Sequence, residues 1–217
     1  MENYKEVLNL FVGEDYYREW MMKPFQIKDK AYSTNAHIMF IAPLNKVGEL
    51  SKLDKKREND VLSVIPKLKN LSFDIAIEDL KKAIYKIPLV DEYIDAESDG
   101  ECKECDGDGE VEWEYGSHSM HSDCPVCDGD GKIEETKRNK SGNKIMDNTS
   151  FIDINESRYN PMFLKKIIKA SEILKTKKIT LISQDNRSGS FFKIGDCELM
   201  LMPITKTDSD KVIHSFN

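Results

Sequence analysis

The chain has 217 residues, of which 39% are hydrophobic and 33% charged, with a formal net charge of −7. That length can bury one sizeable core or two small ones, and the composition is that of a globular chain, not a disordered or membrane-embedded one. The acidic opening, Met1 to Glu6, has no apolar stretch and does not read as a secretory leader. The longest apolar runs, such as Ile38 to Leu44, are too short to cross a bilayer. An intracellular, cytoplasmic protein is expected.

In chain order, residues 4–12 read as a helix, and 23–27, 31–34 and 37–42 as strands. Residues 45–70 form a charged connection with a helix expected over 59–68. Residues 71–77 read as a strand, 78–87 as a helix ended by Pro88, and 90–96 as a strand. A cysteine-rich segment follows. Its flanks, 110–115 and 132–136, alternate as the strands of a ribbon should, whereas 137–148 is polar and reads as a loop.

The last segment is the clearest. Residues 151–155 alternate like a strand, and Asn160-Pro161 is a helix start. Phe163, Leu164, Ile167, Ile168 and Leu174 then recur at helical spacing. Strands at 179–184, 190–194 and 197–202 follow, separated by turns at 185–189 and Gly195-Asp196. The order is β-α-β-β-β, and the class is α+β.

The cysteine segment contains one phrase twice, Cys102-Lys-Glu-Cys105-Asp-Gly-Asp-Gly109 and Cys124-Pro-Val-Cys127-Asp-Gly-Asp-Gly131. The C-x2-C…C-x2-C spacing is that of a four-cysteine zinc site with Cys102, Cys105, Cys124 and Cys127 as ligands. Four thiolates close the tetrahedron and leave no position for a catalytic water, so one structural Zn2+ per chain is expected. Cys124-Pro-Val-Cys127 has redox-dithiol spacing, but Asp-Gly-Asp-Gly breaks the helix such a motif opens. The same acidic runs lack the spaced ligands of a calcium loop. His118 and His121 are expected on a solvated hairpin loop, and the fifth cysteine, Cys197, in a buried strand. No catalytic constellation is present in the sequence, and no enzymatic activity is expected.

Charge is unevenly distributed. Residues 91–136 hold 17 Asp/Glu against 2 Lys/Arg, so the remainder is basic. On a helical wheel Lys165, Lys166 and Lys169 lie opposite Phe163, Leu164, Ile167 and Ile168. Lys82 and Lys86 face away from Leu80, Ile84 and Ile87, with Glu78 and Asp79 diluting them.

Two resemblances follow. Residues 151–154, 161–169, 179–182, 191–196 and 201–204, the last reading Leu-Met-Pro-Ile, resemble the closing half of a bacterial DNA sliding-clamp domain (DNA polymerase III beta subunit). Residues 5–11, 22–27 and 32–37 resemble the opening half. Thr34-Asn-Ala-His-Ile38 stands where the family has Thr-Asp-Gly-His-Arg, so a cation is lost. The cysteine phrases resemble the C-x-x-C-x-G-x-G repeats of DnaJ-type co-chaperones, two copies here against four there.

The clamp resemblance implies repeated β-α-β-β-β units, with 1–98 and 137–217 as the clamp-like parts around a zinc-ribbon hairpin at 99–136. It also implies a non-enzymatic replication or repair accessory factor. Double-stranded DNA would be held by Lys165, Lys166, Lys169, Lys82 and Lys86, and the protein would be a homo-oligomer. The competing expectation is a protein-interaction or chaperone-like adaptor that binds a protein partner through the acidic zinc hairpin.

Overall fold

A computed structural model of the chain describes residues 2–14, 16–65, 71–184 and 189–217. The chain divides into two compact units, Met1–Pro88 with Asp147–Asn217, and Leu89–Met146. The second unit is wider at both ends than the 99–136 segment expected from the cysteines.

The first unit opens with α1 (Glu2–Asn9) and a 3-10 turn, then β1 (Phe25–Ile27), β2 (Lys30–Thr34), β3 (Ile38–Pro43), the short β4 (Ser51–Lys52), α2 (Lys55–Ser63), β5 (Phe73–Ala76) and α3 (Ile77–Tyr85). It resumes after the second unit with β10 (Ser150–Ile154), β11 (Ser157–Tyr159), α4 (Pro161–Ile173), β12 (Lys178–Ser183), β13 (Ser190–Ile194), β14 (Cys197–Leu201) and β15 (Lys211–Phe216). The second unit holds β6 (Leu89–Glu101), β7 (Glu110–Tyr115), β8 (His118–Asp123) and β9 (Lys132–Met146).

Helix starts follow local chemistry. The Asn160 side chain accepts from the Met162 N–H at 2.8 Å, with Pro161 in the first turn, and Asp54 accepts from the Arg57 N–H at 2.9 Å. Asp54 thus sets the start of α2 four residues before the expected 59–68 helix, because the capping carboxylate outweighs the weak apolar pattern around it. Residues 66–68 of that expectation, and 185–188 of the expected turn, lie outside the described residues.

Eight strands form one sheet in the order β4-β1-β2-β3-β14-β13-β12-β5. It consists of two antiparallel meanders, β1-β2-β3 and β12-β13-β14, joined where Phe40 pairs with Leu199 and Ile38 with Leu201. A helix precedes each meander, α1 the first and α4 the second. A leading strand, β10, also precedes α4, so the expected β-α-β-β-β order holds for the second half with β11 added.

The central strands are buried on both faces, which explains their nearly continuous apolar runs. Phe11, just past α1, stacks on Phe40 with ring centroids 5.1 Å apart. The alternate residues Tyr32, Met39, Ile41, Phe191 and Met200 pack instead with Val61 and Leu62 of α2 and with Trp20. Trp20 is therefore a core anchor, whereas Tyr17 is 96% exposed. Cys197 is fully buried, and burial pushes its thiol well above the usual range, as expected of an inert core cysteine.

A smaller sheet, β11-β10-β15, is pinned by one guanidinium. Arg158 donates through Nε and Nη2 to the two Asp153 oxygens at 2.8 and 3.2 Å, and through Nη1 to Asp210 at 2.7 Å. The chain from β14 thereby returns to lay β15 parallel to β10.

The second unit is two successive antiparallel ribbons. β6 pairs with β9 from Leu89↔Met146 to Glu101↔Lys132, and β7 pairs with β8 from Glu110↔Asp123 to Tyr115↔His118. Residues 137–146 are therefore strand, not the loop their polarity suggested. His118 and His121 likewise lie on a strand and not in a loop. In a two-stranded ribbon both faces are wet, so neither needs the apolar alternation by which strands are recognised. At its base the Asp147 N–H donates to the Pro88 carbonyl at 2.9 Å.

Candidate functional site

The four cysteines lie between the two ribbons, Cys102 and Cys105 in the connection from β6 to β7, Cys124 and Cys127 in that from β8 to β9. All four are buried, and their sulfurs lie within 4.8 Å of one another. The Cys102 and Cys124 sulfurs are 3.8 Å apart, as are those of Cys105 and Cys127. Zinc at about 2.3 Å from each thiolate gives a tetrahedron with S···S edges of about 3.8 Å. The donor set, its burial and its spacing fit one tetrahedral ion.

Backbone geometry explains the repeated phrase. Asp106 and Asp128, at φ of 49° and 50°, turn the chain left-handed after each second cysteine, and Gly107 and Gly129 continue that turn at 87° and 88°. The Gly109 N–H then donates to the Cys105 sulfur at 3.3 Å, and the Gly131 N–H to Cys127 at 3.2 Å. Such donors favour the thiolate over the thiol. The two turns also bind each other. Cys102 N–H donates to the Gly131 carbonyl at 2.9 Å, and Cys124 N–H to that of Gly109 at 2.7 Å.

A Cβ on Gly109 would overlap the Gly129 carbonyl, and one on Gly131 the Gly107 carbonyl. Gly131→Ala is expected to loosen the site by about 1–3 kcal/mol, from strain at positive φ and forced separation of the turns. Competition with a chromophoric chelator measures this; unchanged metal affinity would remove the glycine from the account.

Apart from the sulfurs and the two backbone hydrogen bonds between the turns, the centre has little to hold it. Among the described residues, Val111 and Ile133 are the partly buried hydrophobics that pack against it. Burial, and after it the neighbouring sulfurs of Cys124, Cys105 and Cys102, push the Cys127 thiol up to about 11, against a downward pull from the Gly131 N–H. Four thiolates in so small a volume would need a cation among them.

The lysines expected on a common face are divided. Lys165 and Lys169 of α4 are exposed and Lys166 is half-buried; all three border a groove of about 580 Å³ that Leu10, Ile84, Tyr85, Met162 and Ile168 line. Lys81, which sequence reasoning missed, joins them there, tied to Glu78 at 2.9 Å and Glu172 at 3.0 Å. Among the described residues Lys165, Lys166 and Lys169 form no ion pair within 4 Å. Lys82 is paired to Asp79 at 2.8 Å, and neither it nor Lys86 lines the groove. The signal for Lys81 was its position one residue before Lys82, on the side of α3 that meets α4.

The Thr34-to-Ile38 stretch serves the fold. The Asn35 side chain accepts from the His37 and Ile38 N–H groups at 3.1 and 3.0 Å, and the His37 ring stacks on Phe163 at 5.7 Å. Among the described residues, no helix is long and apolar enough to cross a membrane.

Bacterial DNA sliding clamps are similar to this chain in structure. The DnaN clamp of Bartonella birtlesii bound to griselimycin is 11% identical, with a TM-score of 0.48 over 94% of this chain and 64% of its own. The DNA polymerase sliding clamp of Bacillus subtilis is 11% identical, with a TM-score of 0.49 over 95% of this chain and 63% of its own. The Helicobacter pylori beta clamp, solved with a DNA ligase peptide, is 12% identical, with a TM-score of 0.48 over 94% and 62%. The chain thus spans a little under two thirds of the length of these clamps. No protein-family model matches it, and no curated protein is similar to it in sequence.

Proposed function

We propose that this is a non-enzymatic, clamp-like protein that carries one structural zinc ion and associates with duplex DNA as a replication or repair accessory factor. The zinc is carried by one observation, four buried sulfurs within 4.8 Å of one another, two pairs of them at the 3.8 Å edge of a zinc–thiolate tetrahedron. Cys102, Cys105, Cys124 and Cys127 would hold the ion, which supplies folding free energy to Leu89–Met146 and, with its coordination filled, no Lewis-acid chemistry.

The DNA face rests on the clamp-like phrases in the sequence and on Lys165, Lys166 and Lys169, which gather on one side of α4 beside Lys81. Residues 160–178 carry 6 Lys and 1 Glu. Phosphate binding by such a face is independent of sequence and falls with salt. Changing the three α4 lysines together to glutamate is expected to abolish binding at low salt, and single changes to flatten the salt slope by about one each. Fluorescence anisotropy against a labelled duplex reads both; equal affinity in triple variant and parent would take this face out of the proposal.

The adaptor reading is favoured by one feature, the exposed Trp113 and Tyr115 on an acidic hairpin. Deleting residues 99–134 separates the readings. DNA binding survives the deletion on the first, and protein capture is lost on the second.

A further inference from the structure

The β7–β8 hairpin is a sheet of two strands, and among the described residues each of them pairs only with the other. Both outer edges therefore present unpaired backbone groups, a template for a further strand. The edges differ in charge. β7 places Glu110, Glu112 and Glu114 at alternate positions, whereas β8 has neither an acid nor a lysine from His118 to Ser122. His118, Ser119, Met120 and His121 are exposed, and Ser122 is half-buried. Charge, proline or a bulge ordinarily blunts such an edge. β8 has no proline, and its register with β7 runs without a shift.

The turn fixes which backbone groups face outward. Gly116, at φ 62°, opens the two-residue connection between Tyr115 and His118. A tight turn of this kind sends the His118 N–H to the Tyr115 carbonyl. Alternation along the ladder then turns the backbone groups of His118, Met120 and Ser122 to β7 and those of Ser119 and His121 outward. Directly opposed residues share a face, so Met120 stands beside Trp113 on one side, and Ser119 and His121 stand with Glu114 and Glu112 on the other. Trp113 and Met120 are 54% and 62% exposed, and the indole Nε1 donates to the Ser122 hydroxyl at 2.7 Å.

The edge His118-Ser-Met-His-Ser122 is complementary to its own antiparallel copy. With Met120 opposite Met120 of a second copy, Ser119 meets His121 and His118 meets Ser122, in both directions. Each histidine then faces a serine hydroxyl, no like charges are opposed, and Ser119 and His121 exchange the outward backbone bonds. A slip of one residue sets outward groups against inward ones. A slip of two opposes either Ser119 or His121 to itself.

We propose that β8 pairs antiparallel with β8 of a second copy, centred on Met120, so that two zinc hairpins join in one four-stranded sheet. One face then carries Trp113, Met120 and their two counterparts in a row, and two-stranded ribbons of marginal stability become a sheet with a continuous apolar stripe. The contact is isologous and closes at two copies. The glutamates lie on the two outermost strands, where they oppose the addition of another β7. An edge of five residues on each side buries less than about 1,200 Å², so the dimer is weak and depends on concentration. The pairing goes beyond both the DNA reading and the adaptor reading and needs only that the hairpin be formed.

Sedimentation velocity on the zinc-loaded full chain, without DNA, tests it. The parent is expected to pass from monomer to dimer with concentration and no further. Residues 91–136 hold 17 Asp/Glu against 2 Lys/Arg, so two copies of the segment repel and added salt should strengthen the dimer. Because residue 120 meets itself on the two-fold axis, Met120→Glu and Met120→Lys should each weaken dimerisation at least about tenfold, and a mixture of the two should pair one-to-one. Ser119→Pro removes an outward N–H and leaves the ladder to β7 intact, and it should also give a monomer. Zinc content and circular dichroism show that the variants fold; if those at Met120 do not, Ser119→Pro decides. A parent that stays monomeric at every concentration, or that grows past a dimer, overturns the proposal. So does association that weakens with salt, dimerisation that survives in folded Met120→Glu or Ser119→Pro protein, or a charge-swapped mixture that does not pair.

Discussion

Replacing Cys105 and Cys127 together with serine is expected to abolish metal binding and unfold the tip of the second unit. Each serine removes a sulfur that also accepts a backbone N–H, from Gly109 in one turn and Gly131 in the other. No apolar core can take over, since Val111 and Ile133 are the partly buried hydrophobics packed on the cluster. The loss is then most of the apparent metal contribution to a small module of this kind, about 10–16 kcal/mol, which exceeds what two six-residue strands can supply.

The damage should stay local. The cores of the two units are separate in sequence, and Phe40, Leu199, Phe191 and their neighbours are untouched. Elemental analysis should fall from one zinc per chain to none, and amide exchange should become fast across β7 and β8 while the eight-stranded sheet keeps its protection. If the β7 and β8 amides stayed as protected as in the parent, the metal would not be what holds the hairpin.

Arg158→Ala should cost the first unit about 1–3 kcal/mol, because, among the described residues, it leaves Asp153 with only Lys206 at 3.5 Å and Asp210 with only Thr207. The Asp153 and Asp210 side chains are only 13% and 11% exposed, and one guanidinium serves both. Lysine cannot replace it, having no planar fork with which to grip Asp153 through two nitrogens.

The effect should depend on pH. Donation from the Thr207 hydroxyl and amide, and then from Arg158, holds the Asp210 carboxyl down at about 2. An unfolded aspartate titrates near 3.9. A depressed carboxyl contributes stability that is present above the unfolded value and is lost as pH falls toward the folded one. Urea unfolding at neutral pH should therefore separate parent from variant, and the gap should narrow between about pH 4 and pH 2 by the share of the depression that Arg158 supplies, Thr207 remaining in both. A gap of the same size at both ends of that range would mean that Arg158 acts through packing alone. Because β15 is tied to the rest through Asp210, its amides should exchange first in the variant.

The sheet and the cysteine cluster were legible for different reasons. β3, β13 and β14 announce themselves through apolar runs that only doubly covered strands carry, and the cysteines through a spacing that few other chemistries need. What was illegible shares one property: its partners are remote in sequence, or its faces are wet. β9 reads as a polar loop because its order comes from pairing with β6, including Lys140 and Lys144 on Asp91 at 2.6 and 3.1 Å. β15 is half-exposed and follows a polar stretch, and only its register with β10 and the Arg158 clasp make it a strand. The groove was hidden because helical wheels treat α3 and α4 one at a time. Only their packing shows that Lys81 faces the α4 lysines while Lys82 turns to Asp79.

The hydrogen bond from Asp147 to Pro88 closes the backbone where the second unit leaves and rejoins the first. Chain ends already held at that distance can be reconnected by a turn of a few residues. The ribbon with its cysteine turns is thus a detachable cartridge. Cutting it out leaves a socket of two neighbouring strand and helix ends whose own partners lie elsewhere, and any other antiparallel pair of strands could be plugged in at the same place without renegotiating the register of the sheet.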